Sequence, residues 1–245
     1  MIKWKNRTYR KVFAIAIVVL LVGGMLLSAT YGLVDLIGRG NASPESPGKT
    51  VAVVNGVEIS KGELETLFNH AKNNLLQQGM ELDSKEAEEL LEQLKKQILQ
   101  QMINNILLLQ KSEEEGITPD EEEVQARYDE ILAQYKDEKA LKEQLSYSNL
   151  TIDILKKEIA NNLKIEKYIE HYLAENVDEK DLIVTDEELK ELYEQYSLQK
   201  EDLPEFEEMK PELLETLKEQ KRSSQLELLI EKLNEDSEIE IKLTE

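Results

Sequence analysis

Residues 12–34, VFAIAIVVLLVGGMLLSATYGLV, carry no formal charge over 23 consecutive positions. No other feature constrains the fold of this chain as strongly. A helix over this run would extend roughly 34 Å at about 1.5 Å per residue, enough to cross a hydrocarbon core of about 30 Å. A core helix of that length would normally carry a polar face, and none is visible. Lys3, Lys5, Arg7, Arg10 and Lys11 precede the run and few cations follow it at once. The positive-inside rule therefore places the N-terminus in the cytoplasm and the rest of the chain outside. Trp4, Tyr9 and Tyr31 fall near the two interfaces, where amphipathic rings are favoured. A cleaved signal peptide has a shorter apolar region, about 7–15 residues, and a small-x-small cleavage site. Here Ser28-Ala29-Thr30 is a weak site, because Leu27 occupies the third position before a cut after Ala29. The expected organisation is a basic cytoplasmic segment at 1–11, an uncleaved anchor in the lipid bilayer at 12–37, a flexible linker at 38–49 and an extracytoplasmic domain at 50–245.

The charge divides along the same line. The 245-residue chain has a formal net charge of −21. Residues 1–48 hold six basic and two acidic residues, net +4; the other 197 hold 24 basic and 49 acidic, net −25. So acidic a body lacks the basic footprint that nucleic-acid binding requires. There is no cysteine, which excludes disulfides, a thiol nucleophile, thiolate metal sites and a lipidated cysteine anchor. The segment GRGNASPESPGK (38–49) is rich in Gly, Ser and Pro and has no periodicity, as expected of a tether. Its Gly-Lys-Thr is not a phosphate loop, because Ser43 stands where the first glycine is needed and no strand precedes it.

The body opens with a hairpin signal. Val51–Val54 and Val57–Ile59 flank Asn55-Gly56, the turn pair that best tolerates positive φ at both positions. Ser60 with Glu63 reads as a capping box for a first helix carrying Leu64, Leu67, Phe68, Ala71 and Leu75 and stopping near Gly79. A second helix spans about Ser84 to Glu115; its middle, Ile103 to Leu109, is apolar nearly all round and is expected to be the most buried part. After Gly116, the spacing predicts an N-cap at Thr118 with Glu121 closing its box. The third helix then carries Val124, Tyr128, Ile131, Leu132 and Tyr135. A short segment near 138–145 leads to a fourth long helix from Thr151 through Leu173, and Thr185 with Glu188 opens another. The last helix starts around 205–211 and runs to about Asp236. The ending Ile239-Glu240-Ile241-Lys242-Leu243 alternates as a strand. A lone terminal strand needs a partner, and the 51–59 hairpin is the visible one. The fold class is mainly α: a transmembrane helix, then an open multi-helix domain with one small sheet joining its two ends.

Chemistry is sparse. His70 and His171 lack a second ligand at metal spacing. Carboxylate runs such as Glu113–Glu115 and Glu121–Glu123 read as solvated helix faces and first-turn charges. No catalytic residue, metal site or cofactor is expected.

The order of these features resembles the SurA/PrsA/PpiD group of extracytoplasmic foldases. The resemblance rests on Val54-Asn55-Gly56-Val57-Glu58-Ile59-Ser60-Lys61-Gly62-Glu63-Leu64, on Val184-Thr185-Asp186-Glu187-Glu188-Leu189, and on Phe206-Glu207-Glu208-Met209 before the terminal strand. In the foldase members a parvulin prolyl-isomerase domain lies between the last two elements. Here about ten residues separate Tyr196 from Phe206, and no glycine follows Gly116. The resemblance thus implies the chaperone domain without the isomerase insertion, and no catalytic residue is carried over. It implies a membrane-anchored holdase that binds unfolded or newly translocated polypeptides without ATP. Such a role needs accessible apolar surface, for which the candidate lining residues are Tyr128, Leu132, Tyr135, Tyr168 and Tyr172. The alternative is an adaptor docking one dedicated partner at the membrane. Homodimerisation through the long helices stays open.

Overall fold

A computed structural model describes residues 49–147, 150–198 and 203–242. The expected cytoplasmic segment, the membrane anchor and nearly all of the linker lie outside the described residues, as does Leu243. Among the described residues no helix is long and apolar enough to cross a membrane. They form β1 (Thr50–Val54), β2 (Val57–Ser60), α1 (Lys61–Gln77), α2 (Lys85–Glu114), α3 (Glu121–Leu132), α4 (Glu138–Tyr147), α5 (Ile152–Asn176), α6 (Glu179–Leu182), α7 (Asp186–Ser197), α8 (Phe206–Glu235) and β3 (Ile239–Ile241). The chain divides into two compact units. One runs to Ile165 and takes back Ser237 onward; the other is Glu166–Asp236.

In the first unit the sheet has the order β2-β1-β3, antiparallel throughout. The terminal strand does pair with the hairpin. Register places Ile59, Ala52 and Ile241 in one row and Val57, Val54 and Ile239 in the next, while Glu58, Val53 and Glu240 align on the opposite face. Ala52, Val54 and Ile59 are buried, so the alternation of Val and Ile with Glu is what decides which face turns inward. Asn55 (φ 48°) and Gly56 (φ 84°) make the left-handed turn. Asn55 also does something a turn residue need not do. Its N–H donates to the Glu238 carbonyl at 2.8 Å, and its Oδ1 accepts from the Glu238 N–H at 2.8 Å. Its Nδ2 donates to Gln110 Oε1 at 2.9 Å and Ser237 Oγ at 3.3 Å. One side chain thereby ties the hairpin to α2 and to the chain entering β3.

The capping box of Ser60 and Glu63 forms in both directions, at 3.2 and 2.8 Å. α1 and α2 both end in a Schellman pattern. Met80 N–H donates to Leu75 and Ile117 N–H to Ser112, with Gly79 (φ 81°) and Gly116 (φ 70°) in the left-handed conformation. The middle of α2 is buried at Ile103, Leu107 and Leu108, as its apolar run predicts. A Lys95–Glu65 ion pair joins α1 to α2, and Lys95 Nζ also lies 5.4 Å from the Phe68 ring centre.

Two local expectations need correction, and two short helices add detail. The N-cap of α3 is Asp120, not Thr118, and the glutamate that accepts from its N–H (2.8 Å) is Glu123. α3 stops at Leu132, so Tyr135 is not on it. After a turn closed by Gln134 N–H to Ile131 and Tyr135 N–H to Leu132, the Asp137 carboxylate caps the next helix, accepting from Ala140 N–H at 2.9 Å. The segment near 138–145 is a ten-residue helix, α4. α6 was not anticipated, since four residues are too few to show a helical period.

In the second unit α7 begins at Thr185 with the capping box its sequence predicts. α7 and α8 enclose Leu189, Leu192, Met209 and Leu213, with Val184, Tyr193, Tyr196, Leu203, Phe206, Leu214 and Leu217 packed around them. Lys210 pairs with Asp186 at 2.8 Å and Lys221 with Glu188 at 2.7 Å, two bridges from α8 to the start of α7.

Candidate functional site

The five candidate residues fall into two groups, one in each unit. Tyr128, Leu132 and Tyr135 belong to the lobe built by α3, α4 and the first half of α5. Its core is Tyr128, Ile131, Leu141, Leu145, Leu150, Leu155 and Ile159, rimmed by the partly buried Val124, Leu132, Tyr135, Ile152, Ile154 and Leu163. The lobe is assembled by local signals: Glu123 on the N-cap of α3, Asp137 on α4, and Thr151 on α5, whose Oγ1 accepts from Ile154 N–H at 3.2 Å. Each cap fixes where a helix starts, and so which apolar residues face the shared core.

Tyr128 is 4% exposed. Lys156 Nζ lies 4.6 Å from its ring centre and donates to Gln125 Oε1 at 2.8 Å. The Tyr128 hydroxyl is buried with no hydrogen-bond partner among the described residues. Burial raises its pKa and the Glu138 carboxylate adds to that, while Lys142 opposes it. Glu138 and Lys142 form their own ion pair at 2.5 Å on the first turn of α4, which raises the lysine's pKa.

Tyr168 and Tyr172 follow one another at helical spacing on the part of α5 that lies in the second unit. Their ring centres are 6.4 Å apart, tilted by 48°. Tyr168 is 2% exposed, whereas Tyr172 is half-buried. Sequence reasoning did not nominate a further aromatic group in that unit. Tyr193 and Phe206 meet edge to face at 5.5 Å, and Tyr193 donates its hydroxyl to the Pro204 carbonyl at 2.9 Å. The available signal was Tyr193 and Tyr196 on one face of α7 with an aromatic opening α8. Leu198, just past α7, is 88% exposed.

Electrostatics in the second unit are those of bridges. The Lys210 ammonium holds the Asp186 carboxyl below its usual range. Lys221, helped by the Thr185 N–H, does the same for Glu188. His171 Nε2 is 3.4 Å from Glu175 on the exposed side of α5. Among the described residues no group of His, Asp or Glu is gathered as a metal site.

A family model described as the SurA-like N-terminal domain matches residues 1–169. This chain belongs to the SurA-like N-terminal domain family. The matched span takes in the hairpin, α1 to α4 and α5 as far as Ile169. It therefore includes Tyr128, Leu132, Tyr135 and Tyr168, while Tyr172 and the α7–α8 cluster lie beyond it. Two curated relatives carry the name foldase protein PrsA. That of Clostridium botulinum (strain 657 / Type Ba4) is 29% identical over 174 residues, covering 67% of this chain and 49% of the relative. That of Clostridium botulinum (strain Loch Maree / Type A3) is 30% identical over 161 residues, covering 62% and 47%. The chain spans about half the length of the curated relatives it matches.

Proposed function

We propose that this SurA-like chain is a membrane-anchored extracytoplasmic holdase, binding unfolded exported polypeptides without ATP and without prolyl-isomerase activity. The observation that carries the proposal is the family match over residues 1–169. That match coincides with a small helical lobe whose apolar rim is only partly buried. Partly satisfied apolar surface is what weak, multipoint holding of an unfolded chain needs. Tyrosines suit it, combining apolar area with a polar tip. The short α7–α8 connection favours a chaperone domain with no inserted catalytic domain. The +4 head and uncharged run at 12–34 support anchoring with the body outside the membrane.

The test is aggregation of a chemically denatured substrate diluted into the full chain held in lipid nanodiscs. Suppression at near-equimolar ratio is expected, and no effect at tenfold excess would overturn the holding role. In-cell photo-cross-linking from Tyr135 and Tyr172 is expected to trap many exported chains; a single stoichiometric partner would favour the adaptor instead. Fractionation after alkaline extraction, with protease added from outside, is expected to leave the chain in the membrane and digest residues beyond 38.

A further inference from the structure

Among the described residues, the Tyr128 hydroxyl is the one buried polar side-chain atom left without a hydrogen-bond partner. An apolar core has no use for it: phenylalanine would fill the same space without burying an unpaired hydroxyl. Its ring is held from two sides. Lys156 lies over the ring at 4.6 Å, and α4 brings Leu141 and Leu145 into the same cluster. α4 is ten residues long, and non-helical residues 133–137 precede it. Leu132 and Tyr135, at the rim of this cluster, are half-buried.

We infer that Tyr128 is a peptide-contacting residue: when α4 shifts from α3, its hydroxyl hydrogen-bonds the main chain of an extended client segment whose apolar side chains lie on Leu132, Tyr135, Ile152 and Ile154. This rests on the holding role proposed above and specifies its site and ligand. A main chain is the fitting occupant because every unfolded segment offers carbonyls and amides at regular spacing, whatever its side chains. A tyrosine hydroxyl can donate to one and accept from the other. Charge selects among segments. Residues 120–143 hold nine carboxylates against four cations, so the favoured client is an apolar stretch with basic flanks. The cost of the unpaired hydroxyl in the closed lobe is recovered on binding, which tilts the lobe toward the occupied state.

The experiment compares the wild type with Tyr128→Phe, each as full chain in lipid nanodiscs. The ligand is a labelled, unstructured peptide with a Val-Leu centre and lysine flanks. The variant's thermal midpoint should equal or exceed that of the wild type. Its affinity should fall about fivefold, the size of one net hydrogen bond. Hydrogen exchange in α4 should speed up when peptide is added to the wild type. Equal binding by both proteins would overturn the inference and leave the holding role standing. A lower thermal midpoint for the variant would overturn it too, because the hydroxyl would then have a partner in the closed state. Unchanged exchange in α4 would remove the movement on which it depends. If the wild type neither binds the peptide nor suppresses aggregation, the holding role fails and this inference falls with it.

Discussion

Asn55 shows how much one residue can carry beyond its local signal. Its place in an Asn-Gly turn was legible, because few residues accept φ near 48°. The bonds it makes to Gln110, Ser237 and Glu238 span sequence separations of 55, 182 and 183, and no local pattern reports them. Asn55→Gly keeps the turn but loses the side-chain bonds; Asn55→Ala loses the bonds and strains the turn as well. The expected order of stability is wild type, then Gly, then Ala. The alanine variant should be down about 2 kcal/mol by urea denaturation, the sum of roughly one hydrogen-bond network and one misplaced φ. Glu188 offers a pH test. Lys221 and the Thr185 N–H lower its pKa when folded, so its contribution is present above the unfolded-state value near 4.3 and fades as pH falls through the lower folded value. Glu188→Gln should be less stable than wild type at pH 7, and the gap should narrow as the pH falls below the unfolded-state value. A constant gap in thermal midpoint across that range would show that the carboxylate charge contributes nothing.

The elements were legible where a cap and a period agreed. Ser60, Ser84, Thr151 and Thr185 each start a helix where the sequence places one. Asp120 and Asp137 were harder. At 118–123 several capping residues compete within one turn, and the winner is decided by which carboxylate meets which free N–H. The end of α3 lies at a turn over residues 133–137, where the apolar period runs on to Tyr135 although the helix does not. The Schellman ends allow a clean measurement. A Cβ placed on Gly116 meets nothing within 4 Å, yet its φ is 70°. Gly116→Ala should therefore cost about 1 kcal/mol from backbone strain alone, and Gly116→Asn less, as read by chemical denaturation. In α8, Leu213 is fully buried between helices. Leu213→Ala should cost about 2–5 kcal/mol and release α7 first, seen as faster hydrogen exchange there than in β1.

At the scale of the whole molecule, β3 returns the chain to the unit in which it began. Pairing of β3 with β1 buries Ala52 and Val54 from both sides. Deleting residues 239–245 would leave β1 with an open edge, a site for pairing with other chains. The truncated body should aggregate on heating at concentrations where the full one refolds, as measured by light scattering. The net charge of −25 on residues 49–245 acts at this scale as well. If it recruits basic clients, raising the salt from about 0.05 to 0.5 M should weaken binding of a lysine-flanked peptide and leave an uncharged twin nearly unaffected.

By itself the sequence determined the charge division, the apolar run at 12–34, the hairpin and its terminal partner strand, and most helix starts. These are readable because each depends on neighbours a few residues apart, through caps, turns and periodicity. The apolar run belongs to this class, since its length and lack of charge are local properties. Only the tertiary structure decided which of the five candidate residues are enclosed. Tyr128 and Tyr168 are buried, while Leu132, Tyr135 and Tyr172 stay half-open. It also divided them between two units and exposed the unpaired hydroxyl of Tyr128. Those facts depend on what packs against a side chain from distant parts of the chain. A helical stripe looks the same in sequence whether a neighbouring helix covers it wholly or in part.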